Sequence, residues 1–231
     1  YDRLVGSEMC IRDRKRDLPY GFAQRARAKL DLFKQRIQEY ESLFGESTVF
    51  LVRTQGVGYT KAEEMVNHGV TGPNVRAAGV DYDVRWAHPY SVYSELDWAP
   101  AVERSSIKGA DCYDRYRVRV TEMVESANMV LEALERMPGG AETHYEPGDP
   151  AIIAKAPSRA PEGTFGSHHF EDSRGESMFH IVGGGEGRGK NPYRVSIRSP
   201  MFITIPYASK CMIGYKVADI PAIMGLSLIH I

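Results

Sequence analysis

Leu30, Phe33, Ile37, Tyr40 and Phe44 recur at steps of three and four, while Arg25, Arg27, Lys29, Lys34 and Arg36 fill the positions between them. That period belongs to an amphipathic helix, predicted over about 21–44 and stopped near Gly45. A second stripe, Tyr116, Val120, Met123, Ala127, Leu131 and Leu134, predicts the longest helix, from about Gly109 to Met137, ended by Pro138-Gly139-Gly140. Methionine and aromatic residues at this spacing mark a packing face before they mark a cofactor box. The opposite face carries Arg115, Arg119, Glu122 and Glu125. Arg119 and Glu122 are spaced to pair on a surface, an interaction worth about 0.2–0.5 kcal/mol.

Between the two stripes, Thr48 to Arg53 is rich in β-branched and aromatic residues and predicts a short strand. Gln55-Gly56-Val57-Gly58 turns. Thr60 then caps a short helix over Lys61 to His68, with Glu63 placed as in a capping box and Gly69 ending it. Glu146 to Glu162, with five prolines and glycines, reads as a connector. From Thr164 to Ile205 the pattern alternates; Ser177 to Val182 and Tyr193 to Ile197 are predicted strands, joined across the glycine-rich loop Gly183 to Gly189. Arg174-Gly175-Glu176 opens this hairpin. The fold class expected is α+β and helix-dominated: two long helices packed together, followed by an antiparallel β portion after Pro161.

Composition narrows the function classes. The 231 residues carry a net charge of -1, so no electrostatic case for nucleic acid exists. No apolar run approaches the ~18 residues of a membrane span. Cys112 and Cys211 stand far apart with no Cys-x-x-Cys, a pattern of neither a disulfide framework nor an iron–sulfur or zinc site, and one that suits a reducing compartment. Both ends read as DNA-assembly scars. Leu226 to Ile231 and Glu8 to Asp13 are encoded by the two strands of one transposase-adapter sequence, so residues 1–14, with Cys10, and 226–231 are set aside and 15–225 is taken as the domain.

Candidate chemistry is sparse. His168-His169 with Glu171 and Asp172 offers metal-ligand types, but neighbours in a strand face opposite ways and cannot both reach one ion, so a structural role is preferred. His88 precedes Pro89 and reads as an extended turn residue. Asp81 and Asp83 share a face if extended, and Arg76 and Arg85 lie near enough to neutralise them; an internal ion-pair network that fixes a long loop is preferred to acid/base work. The Gly183 to Gly189 loop lacks the Lys-Ser/Thr offset of a P-loop and leads into a strand, so it is read as a hairpin turn.

Several blocks carry a family resemblance. They are Gly69-Val70-Thr71-Gly72-Pro73-Asn74 through Arg76 and Asp81 to Arg85, then His88-Pro89-Tyr90, Tyr93 and Glu95 to Trp98; Gly109 to Tyr116 with Arg119, Glu122 and Met123; Asn191 to Arg194 with Ile197 to Pro200; and Gly214 to Ile220. In this order they resemble the C-terminal half of the quinone-site subunit of NADH-quinone oxidoreductase, respiratory complex I, whose fold is shared with nickel-iron hydrogenase large subunits.

The resemblance implies a hydrogenase-large-subunit-like fold and a subunit that holds no redox centre of its own. It implies quinone as the substrate of the complex, with NADH, FMN and iron–sulfur clusters on other subunits. The partners implied are the other peripheral-arm and membrane-arm subunits, with the chain peripheral on the cytoplasmic side and electron transfer coupled to proton translocation. The His and Tyr that hold the quinone head group belong to the family's N-terminal half, so no catalytic or metal residue is carried over. Arg76, Arg85, Lys216 and Asp219 are the polar residues placed beside the quinone cavity. The family's Ile-His-His-Phe-Lys stretch is missing from the connector, which leaves the electron donor open. The alternatives are a membrane-bound nickel-iron hydrogenase, a deazaflavin-linked complex, or a scaffold that has lost its site. Alone, the chain is expected to expose apolar surface and to be inactive.

Overall fold

The computed structural model describes residues 21–103, 109–136, 161–185 and 191–227. The predicted connector lies almost wholly outside these residues, as do 186–190 of the glycine-rich loop and most of both terminal segments.

The first predicted helix forms as α1, Phe22–Tyr40, and its last turn widens into a π turn over Glu41–Gly45. Gly45 lies against α6 (Cys112–Arg136), where an added Cβ would stand 3.1 Å from the Tyr116 hydroxyl. Of the apolar stripe on α1, Ile37 is buried, whereas Phe33, Tyr40 and Phe44 are 41, 58 and 59% exposed. Only part of the stripe packs on the chain itself.

The segment predicted as a strand is instead helix α2, Thr48–Thr54. Local β propensity is overridden by tertiary contact: Phe50 sets its ring edge-on to Tyr116 of α6, 4.9 Å between centroids. The Thr54 hydroxyl donates to the Phe50 carbonyl, a bond available only in the helix. Thr60 does not cap the next helix. It sits in strand β1, Thr60–Lys61, paired antiparallel with β2, Gly109–Ala110. Helix α3, Ala62–Asn67, starts without a side-chain cap, and Glu63 and Glu64 complement its N-terminal dipole instead. It ends as expected at Gly69, where Gly69 N–H reaches Val66 and Val70 N–H reaches Met65 in a Schellman arrangement.

Two short helices follow, α4 Pro73–Ala77 and α5 Val84–Ala87. The C-terminal part is a three-stranded antiparallel sheet in the order β3 Phe165–Asp172, β4 Gly175–Val182, β5 Arg194–Arg198, and the predicted hairpin is the β4–β5 pair. The alternating pattern does not run to Ile205. Helix α7 spans Met201–Cys211 with Pro206 inside it, and its buried residues, Thr204, Tyr207, Ala208 and Cys211, follow the helical period. A 3-10 turn at Val217–Asp219 leads into α8, Ile220–Ser227. The core gathers where these pieces meet, around Met65, Val75, Ala110, Cys112, Val118, Tyr207 and Ile223. The α+β, helix-dominated class holds, and among the described residues no helix is long and apolar enough to cross a membrane.

Candidate functional site

The backbone makes its tightest approach at Gly72, with φ at 79°. An added Cβ would stand 2.4 Å from Gly175 Cα, so only glycine lets the start of α4 touch the β3–β4 turn. Thr71 fastens the same contact, its hydroxyl accepting from Glu176 N–H at 3.0 Å. Pro73 opens α4 with its φ already set for a helix. The helix is buried along its whole length and delivers Arg76 into the interior, 1% exposed.

Three carboxylates from three parts of the chain meet that guanidinium. Arg76 Nε donates to Glu122 Oε1 of α6 at 2.9 Å, and Nη1 donates to Glu171 Oε1 of β3 at 2.9 Å. Asp83 Oδ2 lies 3.1 Å from Nη1. Asp83 also caps α5, accepting from Arg85 N–H at 2.9 Å and from Arg85 Nη2 at 2.7 Å. Arg85 lies over Trp98, 4.8 Å from the ring centre, a cation–π contact. Glu171 Oε2 accepts from Val84 N–H, which closes the circuit between β3 and α5.

Burial works against every charge here, and its balance with the pairing decides each outcome. For Arg76 the carboxylates of Glu122, Glu171 and Asp83 outweigh burial and raise its pKa. For Asp83 burial is overcome by the hydrogen bonds from Arg85 and by the charge of Arg76, which hold the carboxyl below its ordinary range. For Glu171 burial wins over Arg76, and its pKa is raised. Beyond the surface pairing with Arg119 that the spacing predicts, Glu122 meets Arg76, because α4 brings a buried guanidinium against that face of α6. Asp81 is exposed and stands outside the network.

Beside the network opens a cleft of about 500 Å³. Leu30 and Phe33 of α1 with Met123, Ala127 and Val130 of α6 form its apolar wall. Arg76, Arg85, Arg119, Glu122, Glu171, Asp172, Ser173 and Arg174 supply its polar lining. Arg119 is pushed down to about 10 by burial first and by the charge of Arg174 second, with Glu122 opposing.

The four residues singled out from the sequence form two groups. Arg76 and Arg85 share Asp83. Asp219 is buried and pairs with Arg53 of α2, Oδ1 to Nη2 at 3.2 Å, while the same Nη2 donates to the Ala218 carbonyl. Lys216 is exposed, contributing its carbonyl to Asp219 N–H. Neither Lys216 nor Asp219 lines the cleft. His169 Nδ1 bonds Glu176 at 3.0 Å while His168 sets its ring edge-on to Tyr90, so the two imidazoles serve separate contacts. Among the described residues no three His, Cys, Asp or Glu gather to hold a metal.

Sequence reasoning missed Arg115, 2% exposed, whose Nη2 donates to the Gly58 carbonyl and the Thr60 hydroxyl. A signal was present. Cys112, Arg115, Arg119 and Glu122 recur at steps of three and four, a second helical stripe beside the apolar one.

The family model described as "Respiratory-chain NADH dehydrogenase, 49 Kd subunit" matches residues 2–229. An NADH-quinone oxidoreductase subunit of Desulforamulus reducens is 34% identical over 225 residues, covering 96% of this chain and 57% of the relative. An F(420)H(2) dehydrogenase subunit of Methanosarcina mazei is 36% identical over 209 residues, covering 90% and 53%. A chain in the solved structure of the membrane-bound sulfane sulfur reductase, an archaeal respiratory membrane complex, superposes with a TM-score of 0.73 at 28% identity, covering 91% of this chain and 54% of that one. The chain spans about half the length of the curated relatives it matches.

Proposed function

The chain belongs to the family of the 49 kDa subunit of respiratory-chain NADH dehydrogenase, and from that premise we propose that it is part of the quinone-site subunit of a complex I-type oxidoreductase. In this reading electrons arrive from iron–sulfur clusters on neighbouring subunits and pass to quinone, coupled to proton translocation. NADH and FMN are handled elsewhere in the complex. The subunit lies peripherally on the cytoplasmic side, against subunits of the peripheral and membrane arms.

The observation that carries this reading is the Arg76 network. It ties the Gly72 to Arg85 loop and α6, two of the blocks through which the resemblance runs, to the end of strand β3. The role proposed for Arg76 and Arg85 is to hold that loop rigid as a buttress of the quinone cavity. Asp219, through Arg53, and Lys216 at the head of the 3-10 turn are proposed to fix the C-terminal segment on the cavity side in the same way. None of the four is given a step in the chemistry.

One observation keeps a second donor in play. The deazaflavin-named relative is 36% identical and NADH-quinone relatives are 34 and 37% identical, so likeness does not rank the donors. Purifying the tagged full-length gene product from its own membranes tests the proposal. Co-purified iron–sulfur subunits with NADH- or deazaflavin-dependent reduction of a short-chain quinone are expected. Bound nickel with hydrogen-dependent activity would overturn it in favour of a hydrogenase.

A further inference from the structure

The three-stranded sheet sorts its side chains the wrong way round for a free surface. Residues directly opposite one another share a face, which groups His169 with Met178 and Arg198, and Glu171 with Glu176. Near the β3–β4 turn this polar face meets the chain's own body: Glu171 accepts from Arg76, and Glu176 accepts from the Tyr82 hydroxyl at 3.2 Å. The alternate residues form the other face, His168 with Phe179 and Ile197, then Ile181 with Val195. Phe170 stacks on Phe179 there, 5.9 Å between centroids. Phe179, Ile181, Val195 and Ile197 are 37, 45, 46 and 53% exposed. A half-solvated antiparallel sheet ordinarily turns its apolar face in and its polar face out; here the apolar one is open. Strand β5 ends the sheet order, so among the described residues Val195 and Ile197 have cross-strand neighbours on β4 and no strand on their other flank.

We propose that a fourth strand pairs along this edge of β5, and that it is an extended segment of the same subunit outside the present chain, with alternating apolar residues and an acidic residue opposite Arg194. Charge selects the partner. Arg194 and Arg198 bracket β5. Two copies of the chain paired antiparallel with Val195 opposite Ile197 would set Arg194 opposite Arg198 at both ends, and like charges directly opposite destabilise a ladder. The charges that turn away a second copy favour a strand that is acidic at the same place. Arg198 already has Glu176 at 3.4 Å, so Arg194 carries the selection. Length selects the source. The chain covers 57 and 53% of two curated relatives, and the rest of such a subunit is ample for a strand of about 5–6 residues, held near the edge at the effective concentration of a single polypeptide. Main-chain hydrogen bonds supply the affinity of such an added strand, and its alternate side chains supply the specificity. The inference rests on the family and not on the quinone reading.

Amide exchange and site-specific cross-linking on the full-length subunit, free and in its complex, test the fourth strand. The amides of 194–198 are expected to be protected already in the free subunit, and to exchange about tenfold faster in Arg194→Glu, where an attractive pair becomes a repulsive one. Arg194→Lys keeps the charge and should stay within about twofold of wild type. A photoreactive p-benzoylphenylalanine in place of Val195 should cross-link within one polypeptide, to a segment outside the present chain that alternates apolar residues and carries an acid. Changing that acid to lysine in the Arg194→Glu background should restore slow exchange, which a merely damaged strand would not do. A cross-link to another subunit, to a second copy or to a segment without an acid would overturn the proposal. So would rapid exchange of 194–198 in the wild type, or protection indifferent to Arg194→Glu. Quinone reduction by the intact complex is read separately, so failure of the fourth strand and failure of the functional proposal remain distinguishable.

Discussion

Two arginines lie equally deep in this molecule and are held in opposite ways. Arg76, 1% exposed, sits among three carboxylates; Arg115, 2% exposed, is bonded to the Gly58 carbonyl, the Thr60 hydroxyl and the Cys112 sulfur, all neutral. Around Arg76 the acids come from a loop, a helix and a strand, so the charge welds three distant segments. Around Arg115 these acceptors come from one neighbourhood, the turn before β1, β1 itself and the first turn of its own helix. Burial alone therefore says little about an arginine. Its partners decide whether it organises a site or completes a core.

The sharpest way to break the contrast is to remove each cation. Arg76→Ala removes the guanidinium that the three acids share, leaving Glu171 with only the Val84 N–H and Asp83 with only Arg85, and the expected loss is about 3–5 kcal/mol, read as a shift in the urea midpoint of the full-length protein. A loss below that of an ordinary surface substitution would end the claim that the network welds the loop. Asp83→Asn should cost less, about 1.5–3 kcal/mol, the scale of hydrogen bonds to charged groups. Its effect is also tied to pH. The folded-state pKa of Asp83 lies below its ordinary value of 3.8, so its contribution is present above that value and is lost as pH falls through the folded pKa. The gap between wild type and Asp83→Asn should hold from neutral pH down to about 4 and close below it. Glu171 has the opposite sign: its raised pKa means that stability present below 4.5 is lost as pH rises through the folded value. A wild type whose acid loss is unchanged by Asp83→Asn would assign that loss to other groups.

Arg115→Met should cost about 1–2 kcal/mol, because neutral acceptors are left unsatisfied while the volume stays filled. No pH dependence between about 4 and 8 is expected for this loss, since the carbonyl and hydroxyl that accept from Arg115 do not titrate there. A pH-dependent loss, measured by the same urea titrations, would erase the distinction between the two sites.

How much of this was legible differs between the same two places. The pairing of Arg76 and Arg85 with a nearby acid could be read from the Gly69 to Arg85 stretch, because Asp83 is seven residues from Arg76 and two from Arg85. Glu122 and Glu171 could not, since they lie 46 and 95 residues away from Arg76 and no local period links them. The long stripes gave α1 and α6, and the alternation gave the β4–β5 hairpin. Short segments misled. In α2 the contact of Phe50 with Tyr116 overrode β propensity, and in α7 an internal Pro206 hid a helix whose buried residues nonetheless keep the helical period.

The smallest effect serves as the control for the largest. Arg36 and Glu39 form an ion pair one turn apart on α1, with side chains 58 and 54% exposed. A double-mutant cycle on this pair should give about 0.2–0.5 kcal/mol at low salt. In 1 M salt it should approach zero, because the screening length falls to about 3 Å. The cycle on Arg76 and Glu122, whose side chains are 1 and 20% exposed, should be several times larger and nearly indifferent to salt, since water and ions are kept from Arg76. The comparison isolates geometry from charge: both pairs are an arginine with a glutamate, and only their surroundings differ. If the two coupling energies came out equal, or shrank alike in salt, the buried network would be no more than a surface pair in a deeper place, and its proposed role as a buttress would have no energetic basis.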